Sequence, residues 1–85
     1  MDLNVTTPGT YEIGRLSEVQ LRIVHPTVSR RQARLTLTVD RLSVRLEHIG
    51  SSPTLVNGRV LNESTSLVEG DQVQFGEVSL TVKLE

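Results

Sequence analysis

Apolar and polar residues alternate one by one along much of this chain. The alternation is clearest over 33–39, 42–46 and 78–84, where every second residue is alanine, leucine or valine. It places successive side chains on opposite faces of an extended backbone, and it therefore predicts half-buried β-strands. Shorter pieces of the same pattern predict further strands over 3–5, 10–13, 21–24 and 73–75.

Turn-forming residues separate these segments. Asp40-Arg41 lies between two strong alternations and predicts a tight hairpin, while Asn57-Gly58 favours a type I′ turn with positive φ at both residues. Further turn signals are Pro8-Gly9, Gly70-Asp71 and Gly76-Glu77. No segment repeats apolar residues at helical spacing. The chain therefore predicts an all-β fold, an antiparallel β-sandwich of many short strands in one domain over 1–85.

Composition narrows the chemistry of this domain. Tyr11 and Phe75 are the only aromatic residues, so the core must be aliphatic. Cysteine is absent, which removes disulfides and thiolate chemistry and is consistent with a cytoplasmic protein. No apolar run is long enough for membrane insertion. His25 and His48 have no metal-ligand partners in sequence, and we expect no metal or cofactor.

Charge is distributed unevenly, although the net charge is only −1. Residues 15–34 contain five arginines and one acidic residue, whereas from residue 60 onward five acidic residues face a single lysine. This asymmetry predicts that one end of the molecule is positive.

Three polar segments lack strand patterning: 15–20, 25–32 and 50–53. Loops gather at the two ends of a sandwich, where binding sites are commonly built on the rigid scaffold. If the first two segments meet at one end, Arg15 converges there with Arg30 and Arg31. When each residue is considered alone, two alternatives remain open. Arg15 is then an ordinary surface arginine, and Ser29 only caps a turn.

Four segments, in order, resemble the forkhead-associated (FHA) domain. Gly14-Arg15 is similar to the Gly-Arg that closes a short strand in that family. VSRRQARL matches the pattern Ser-Arg-x-His-Ala at Ser29, Arg30 and Ala33. IGSSPTLVNGRVL (49–61) resembles Gly-Ser-x-Asn-Gly-Thr-x-Val-Asn-Gly, and LVEGDQVQFG (67–76) resembles Leu-x-x-Gly-Asp-x-Ile-x-Phe-Gly. The resemblance runs from Gly14 to about Val82.

The resemblance implies a β-sandwich module that binds phosphothreonine peptides and is not an enzyme. Arg15 would hold a phosphate oxygen through its planar, permanently charged guanidinium. Ser29 would donate its hydroxyl to the phosphate, Arg30 would occupy the next contact position, and Ser51 or Ser52 would line the site from the third loop. The implied partner is a protein phosphorylated by a Ser/Thr kinase, and we expect the domain to be a monomer.

Two positions depart from the family pattern. The histidine that braces the binding loops in the family is Gln32 here, and we expect a modest effect because glutamine also donates and accepts hydrogen bonds. The third loop is one residue shorter, and Pro53 replaces the Asn-Gly whose asparagine hydrogen-bonds the peptide backbone. Backbone anchoring of a peptide is therefore expected to be weak. We interpret Arg34, on a polar strand face, as solvated.

Other function classes remain as alternatives. Gln32 and Pro53 keep open an FHA-like domain that docks a partner without needing phosphate. A hydrolase is a second alternative, although no nucleophile-elbow motif is present. Nucleic-acid binding is disfavoured, because two aromatics make no stacking platform and the net charge is negative. The sequence leaves open whether the domain was excised from a larger protein and whether Leu84-Glu85 is a cloning scar.

Overall fold

Two five-stranded sheets pack face to face in the computed structural model, which describes residues 1–39 and 43–84. The strands follow from the alternating pattern and from turns that pair them. They are β1 (Asp2–Asn4), β2 (Gly9–Gly14), β3 (Leu21–Arg22), β4 (Ala33–Leu37), β5 (Val44–His48), β6 (Thr54–Val56), β7 (Arg59–Val60), β8 (Ser64–Leu67), β9 (Gln72–Phe75) and β10 (Val78–Lys83).

The strand order is β1-β10-β9-β6-β7 in the first sheet and β3-β2-β4-β5-β8 in the second. This confirms the all-β sandwich. The sheets are mixed, however, because β1 pairs parallel with β10 and β2 pairs parallel with β3. Parallel neighbours cannot be joined by a tight turn. The loop over 15–20 provides the longer connection between β2 and β3, and β1 and β10 are the first and last strands of the chain.

The core lies between the sheets and is aliphatic apart from one ring. Alternate residues of β4, β5, β9 and β10 point inward, and Ile13, Leu35, Leu46 and Phe75 are completely buried. The alternation failed at Val39, which is 90% exposed because β4 ends two residues earlier. Leu84 packs against the core as a partly buried side chain.

The Asn57-Gly58 hairpin is confirmed. Asn57 and Gly58 have φ values of 51° and 82°, and Val56 pairs with Arg59 across the turn. The predicted Asp40-Arg41 turn lies outside the described residues, although β4 and β5 pair antiparallel on either side of it. Sequence patterning missed β8, because its outward residues are serines and its only large apolar residue is the buried Leu67.

One end of the sandwich collects the connections over 15–20, 23–32, 49–53, 61–63 and 76–77. The three polar segments singled out in the sequence all belong to this group. The fold therefore brings their side chains to a common rim. Within the described part of the chain, no helix is long and apolar enough to cross a membrane.

Candidate functional site

Three loops at this end are joined by direct hydrogen bonds. The Arg15 N–H donates to the carbonyl oxygens of Ser29 and Arg30 at 3.1 and 3.0 Å, and the Ser52 N–H donates to Ser29 Oγ at 2.8 Å. Between the loops lies an open cavity of about 450 Å³. Its lining contains all five residues assigned from the sequence, and the full set is Arg15, Pro26, Val28, Ser29, Arg30, Arg31, Gly50, Ser51 and Ser52.

Two glycines allow the loops to approach this closely. A Cβ on Gly14 would lie 2.1 Å from the carbonyl oxygen of Arg30, and a Cβ on Gly50 would lie 2.6 Å from Ser29 Oγ. Real Cβ atoms do not approach other atoms at such distances, so any larger residue would push the loops apart. Both glycines belong to the segments that carry the family resemblance, and the structure gives them a steric reason.

The Arg15 side chain is fixed at Nε, whereas its two terminal nitrogens have no protein partner among the described residues. Its Nε donates to the Val28 carbonyl oxygen at 3.1 Å, which fixes the direction of an otherwise exposed side chain. A guanidinium has five N–H donors. The donors on the two terminal nitrogens therefore remain available, since no protein partner for them exists among the described residues.

Ser29 can keep its loop in place and still donate to a ligand. Its Oγ accepts the Ser52 N–H, and since a backbone N–H only donates, the hydroxyl proton of Ser29 is not used in that bond. Ser51 is exposed and has no hydrogen bond within the described part of the chain. The turn-capping reading of Ser29 and the ligand-donor reading are thus compatible.

Nearby carboxylates divide the arginines of this region into two groups. Arg31 forms an ion pair with Glu12, and Arg34 pairs with Glu47 at 3.1 Å and reaches Glu12 at 3.9 Å. The interpretation of Arg34 as merely solvated was therefore wrong, because β2 and β5 place carboxylates on either side of it.

The other group has no such partner. Neither Arg15 nor Arg30 contacts a carboxylate among the residues that the structure describes. Both side chains are exposed and line the cavity. The cavity therefore carries two cations that no carboxylate of the described residues neutralises.

The predicted positive end is only partly realised. The acidic Glu77 lies at the same end, since its N–H donates to Thr27 Oγ1 at 2.8 Å. Glu63 lies there too, because its carbonyl oxygen accepts the His48 N–H. Charge that is separated along the chain is thus mixed in space, although none of the residues lining the cavity is acidic. Within the described residues, no group of His, Asp and Glu side chains could hold a metal.

Gln32 lies fully buried beneath the loops and connects them. Its Oε1 accepts the Ser29 N–H at 2.9 Å, and its Nε2 donates to the Ser52 carbonyl oxygen at 2.9 Å and to Thr54 Oγ1 at 2.8 Å. These bonds support the expectation that glutamine can brace the loops in place of histidine. Sequence reasoning missed Thr54, because a threonine that opens a strand gives no signal of complete burial.

Pro53 has no N–H and no side-chain donor, and the loop is positioned through its carbonyl instead. That oxygen accepts the Gly76 N–H at 3.0 Å, which attaches the third loop to the turn between β9 and β10. Gly76 has φ of 59°, and a Cβ there would lie 2.1 Å from the Thr27 carbonyl oxygen. The loop is therefore fixed by backbone contacts at the position where the family pattern has asparagine.

Comparisons with known proteins agree with this geometry. The NMR structure of the FHA-2 domain from the Mycobacterium tuberculosis ABC transporter Rv1747 is 29% identical, with a TM-score of 0.73 and coverage of 88% of this chain and 68% of that one. A structure from a study of phosphothreonine-dependent FHA domain interactions is 25% identical, with a TM-score of 0.79 and coverage of 88% and 76%.

The FhaA FHA domain, solved in complex with the intracellular domain of Rv3910, has the same fold at 24% identity. Its TM-score is 0.78, and the match covers 86% of this chain and 78% of that one. No curated protein matches the chain significantly. The family model of the FHA domain matches residues 11–76, which include the whole cavity lining. The chain therefore belongs to the FHA domain family.

Proposed function

We propose that this domain binds a phosphothreonine-containing segment of a partner protein, with the phosphate in the cavity between the three loops. Arg15 and Arg30 supply the charge, Ser29 donates its hydroxyl, and Ser51 or Ser52 adds a donor from the third loop. One observation carries the proposal: within the described residues, the cavity holds two arginines without a carboxylate partner, beside a serine whose hydroxyl proton is uncommitted.

A phosphate ester fits these donors better than a carboxylate does. It carries nearly two negative charges at pH 7 and three acceptor oxygens, so it can accept from several loops at once. Arginine clusters that read a phosphorylated motif are a recurrent recognition mode, and the guanidinium fork suits phosphate geometry. The similar FHA structure described for phosphothreonine-dependent interactions supports the same ligand class.

The family membership supports threonine as the phosphorylated residue. We expect phosphothreonine to bind several-fold better than phosphoserine, because one buried methyl group contributes about 0.8 kcal/mol. Such a partner implies a Ser/Thr kinase upstream. The domain would act as a monomeric binding module in the cytoplasm, without catalysis and without a cofactor.

The test begins with an oriented phosphothreonine-peptide library, followed by calorimetric titration of the best sequence. Matched peptides would carry phosphothreonine, phosphoserine or unmodified threonine. We expect affinity to fall in that order, with no measurable binding of the unmodified peptide. Equal affinity of the phosphorylated and unmodified peptides would contradict the proposal.

That contradicting outcome would favour phosphate-independent docking of a fixed partner. A specific observation keeps this second candidate in view. Pro53 offers no donor to a peptide backbone, so a partner could be held by surfaces other than the phosphate cavity. A partner protein that binds equally well before and after phosphatase treatment would show that docking is independent of phosphate.

A further inference from the structure

A chain of three polar side chains crosses the core beneath the loops. Gln32 and Thr54 are completely buried, and His48 is partly buried at the end of β5. Thr54 Oγ1 lies 2.8 Å from Gln32 Nε2 and 2.9 Å from His48 Nδ1. The chain therefore connects β5 in one sheet to β6 in the other, and through Gln32 it reaches the loops that form the cavity.

The neighbouring backbone determines the orientation of the Gln32 amide. The Ser29 N–H can only donate, so the atom that faces it is Gln32 Oε1. The Ser52 carbonyl oxygen can only accept, so Gln32 Nε2 faces it and also donates to Thr54 Oγ1.

Among the described residues, the only other hydrogen-bond partner of the Thr54 hydroxyl is His48 Nδ1, so the hydroxyl proton finds an acceptor only if it points to His48. In that arrangement Nδ1 is the acceptor, which requires a neutral imidazole that carries its proton on Nε2.

Protonation of His48 breaks this pattern. An imidazolium donates from Nδ1, so two donors would point at Thr54 Oγ1 and the Thr54 hydroxyl proton would lose its acceptor. A buried polar group without a partner is costly. The mismatch is relieved when His48, Thr54 or Gln32 turns away, and movement of Gln32 weakens the brace on Ser29 and Ser52.

No acidic side chain contacts the His48 ring in the part of the chain that the structure describes. Glu47 lies on the opposite face of β5 and pairs with Arg34, and Ala33 is the β4 residue in register with His48. On the side of β8, Glu63 provides its backbone carbonyl to the His48 N–H. The segment 49–58 contains no titratable residue, and His48 forms no ion pair among the described residues.

We propose that Thr54 and His48 are positioning residues for the phosphate-binding loops, and that protonation of His48 loosens those loops. The part that concerns ligand affinity rests on the proposed function. The part that concerns the loops does not, because it can be observed in the free domain.

The first experiment is an NMR pH titration of the ligand-free domain from pH 8 to pH 5. We expect His48 to carry its proton on Nε2 at pH 8. We also expect the amide resonances of Ser29 and Ser52 to shift with the same midpoint as the His48 ring. His48→Asn, which offers a non-titrating acceptor, should abolish this co-titration.

The matched control is His25→Asn. His25 is the other histidine, and its Nδ1 contacts Thr27 Oγ1 within the loop that also carries Ser29. This variant should leave the co-titration of Ser29, Ser52 and His48 intact. The proposal would be overturned if His48 carried its proton on Nδ1 at pH 8. It would also be overturned if the Ser29 and Ser52 amide resonances did not shift with the His48 ring.

The second experiment compares Thr54→Val with Thr54→Ser at pH 7.5, with the phosphothreonine peptide selected from the library. The valine variant keeps the shape and loses the hydroxyl, and we expect about a tenfold loss of affinity, which corresponds to a hydrogen-bonding effect of this kind. The serine variant should stay within about twofold of the wild type. Equal affinities for the two variants would contradict the positioning role. If the wild type binds no phosphopeptide at all, the proposed function fails, while the ligand-free titration still decides the role of His48.

Discussion

Arg15 and Arg31 line the same cavity and carry the same charge, but their surroundings differ. Arg31 is paired with Glu12, whereas the terminal nitrogens of Arg15 have no partner among the described residues. A cation already paired with a carboxylate gains less from a phosphate than an unpaired one does. The two residues therefore make a matched test of which arginines the ligand uses.

We predict that Arg15→Ala lowers the affinity for a phosphothreonine peptide at least tenfold, while Arg31→Ala changes it less than about threefold. A hydrogen bond to a charged group contributes about 1.5–3 kcal/mol, and about 1.4 kcal/mol is a tenfold change. Calorimetric titration measures both affinities, and thermal unfolding checks that each variant is folded. Equal losses in the two variants would mean that Arg15 has no special role.

At the scale of elements, the loops depend on close backbone contact at Gly50. In Gly50→Ala the new Cβ would meet Ser29 Oγ at 2.6 Å and the Arg31 carbonyl oxygen at 2.7 Å, so the second and third loops must separate. Overpacking of this kind costs about 1–3 kcal/mol. We predict that Gly50→Ala lowers the affinity for the phosphothreonine peptide. The loss should be larger than in a variant that is destabilised by the same amount at a site away from the loops.

Gly58→Ala provides that comparison. Gly58 lies in the β6–β7 hairpin at the opposite end of the sandwich, with φ of 82° and open space around it. Alanine in this conformation costs about 1–2 kcal/mol, so stability falls but the loops are untouched. Denaturant unfolding and peptide titration of both variants separate the two effects. If Gly58→Ala weakens binding as much as Gly50→Ala does, the loss reflects stability alone.

The third loop provides another prediction at this scale. Replacing Pro53 with Asn-Gly restores the loop length and the side-chain amide of the family pattern, and we expect tighter binding together with sharper preferences for residues flanking the phosphothreonine. The Pro53 carbonyl contact with the Gly76 N–H must be retained by the longer loop. Parallel library screens of the wild type and this variant measure both properties. Unchanged affinity and unchanged preferences would show that the missing asparagine does not limit binding.

For the whole molecule, the net charge of −1 gives no general attraction to an anionic ligand. Attraction must come from the few cations around the cavity. We predict that affinity for the phosphothreonine peptide falls at least threefold between about 0.05 and 0.5 M salt at pH 7.5, since the screening length falls from more than 10 Å to a few Å over this range. Arg30→Ala should reduce this salt dependence. A salt-independent affinity would favour docking without phosphate.

The sequence predicts the strands of this protein better than it predicts the candidate site. Strand patterning located most strands because alternation records which face of each strand is buried, and this is a local property. The pattern predicted too long a strand at Val39, because β4 ends at Leu37. It also missed β8, a polar edge strand that forms by pairing with β5. The five candidate site residues were chosen only after four motifs in order resembled the FHA domain, because their types alone would also fit a solvated surface.

The sequence by itself determined the class of fold, the Asn57-Gly58 hairpin and the residue types that face the cavity. Alternation, turn chemistry and motif order depend on residues that are close in sequence, so these features could be predicted without the fold. Only the tertiary structure decided which arginines are neutralised, that two edge pairings are parallel, and that Gln32, Thr54 and His48 form one buried chain. Each of these depends on side chains or strands far apart in sequence, and their contacts exist only once the two sheets have packed.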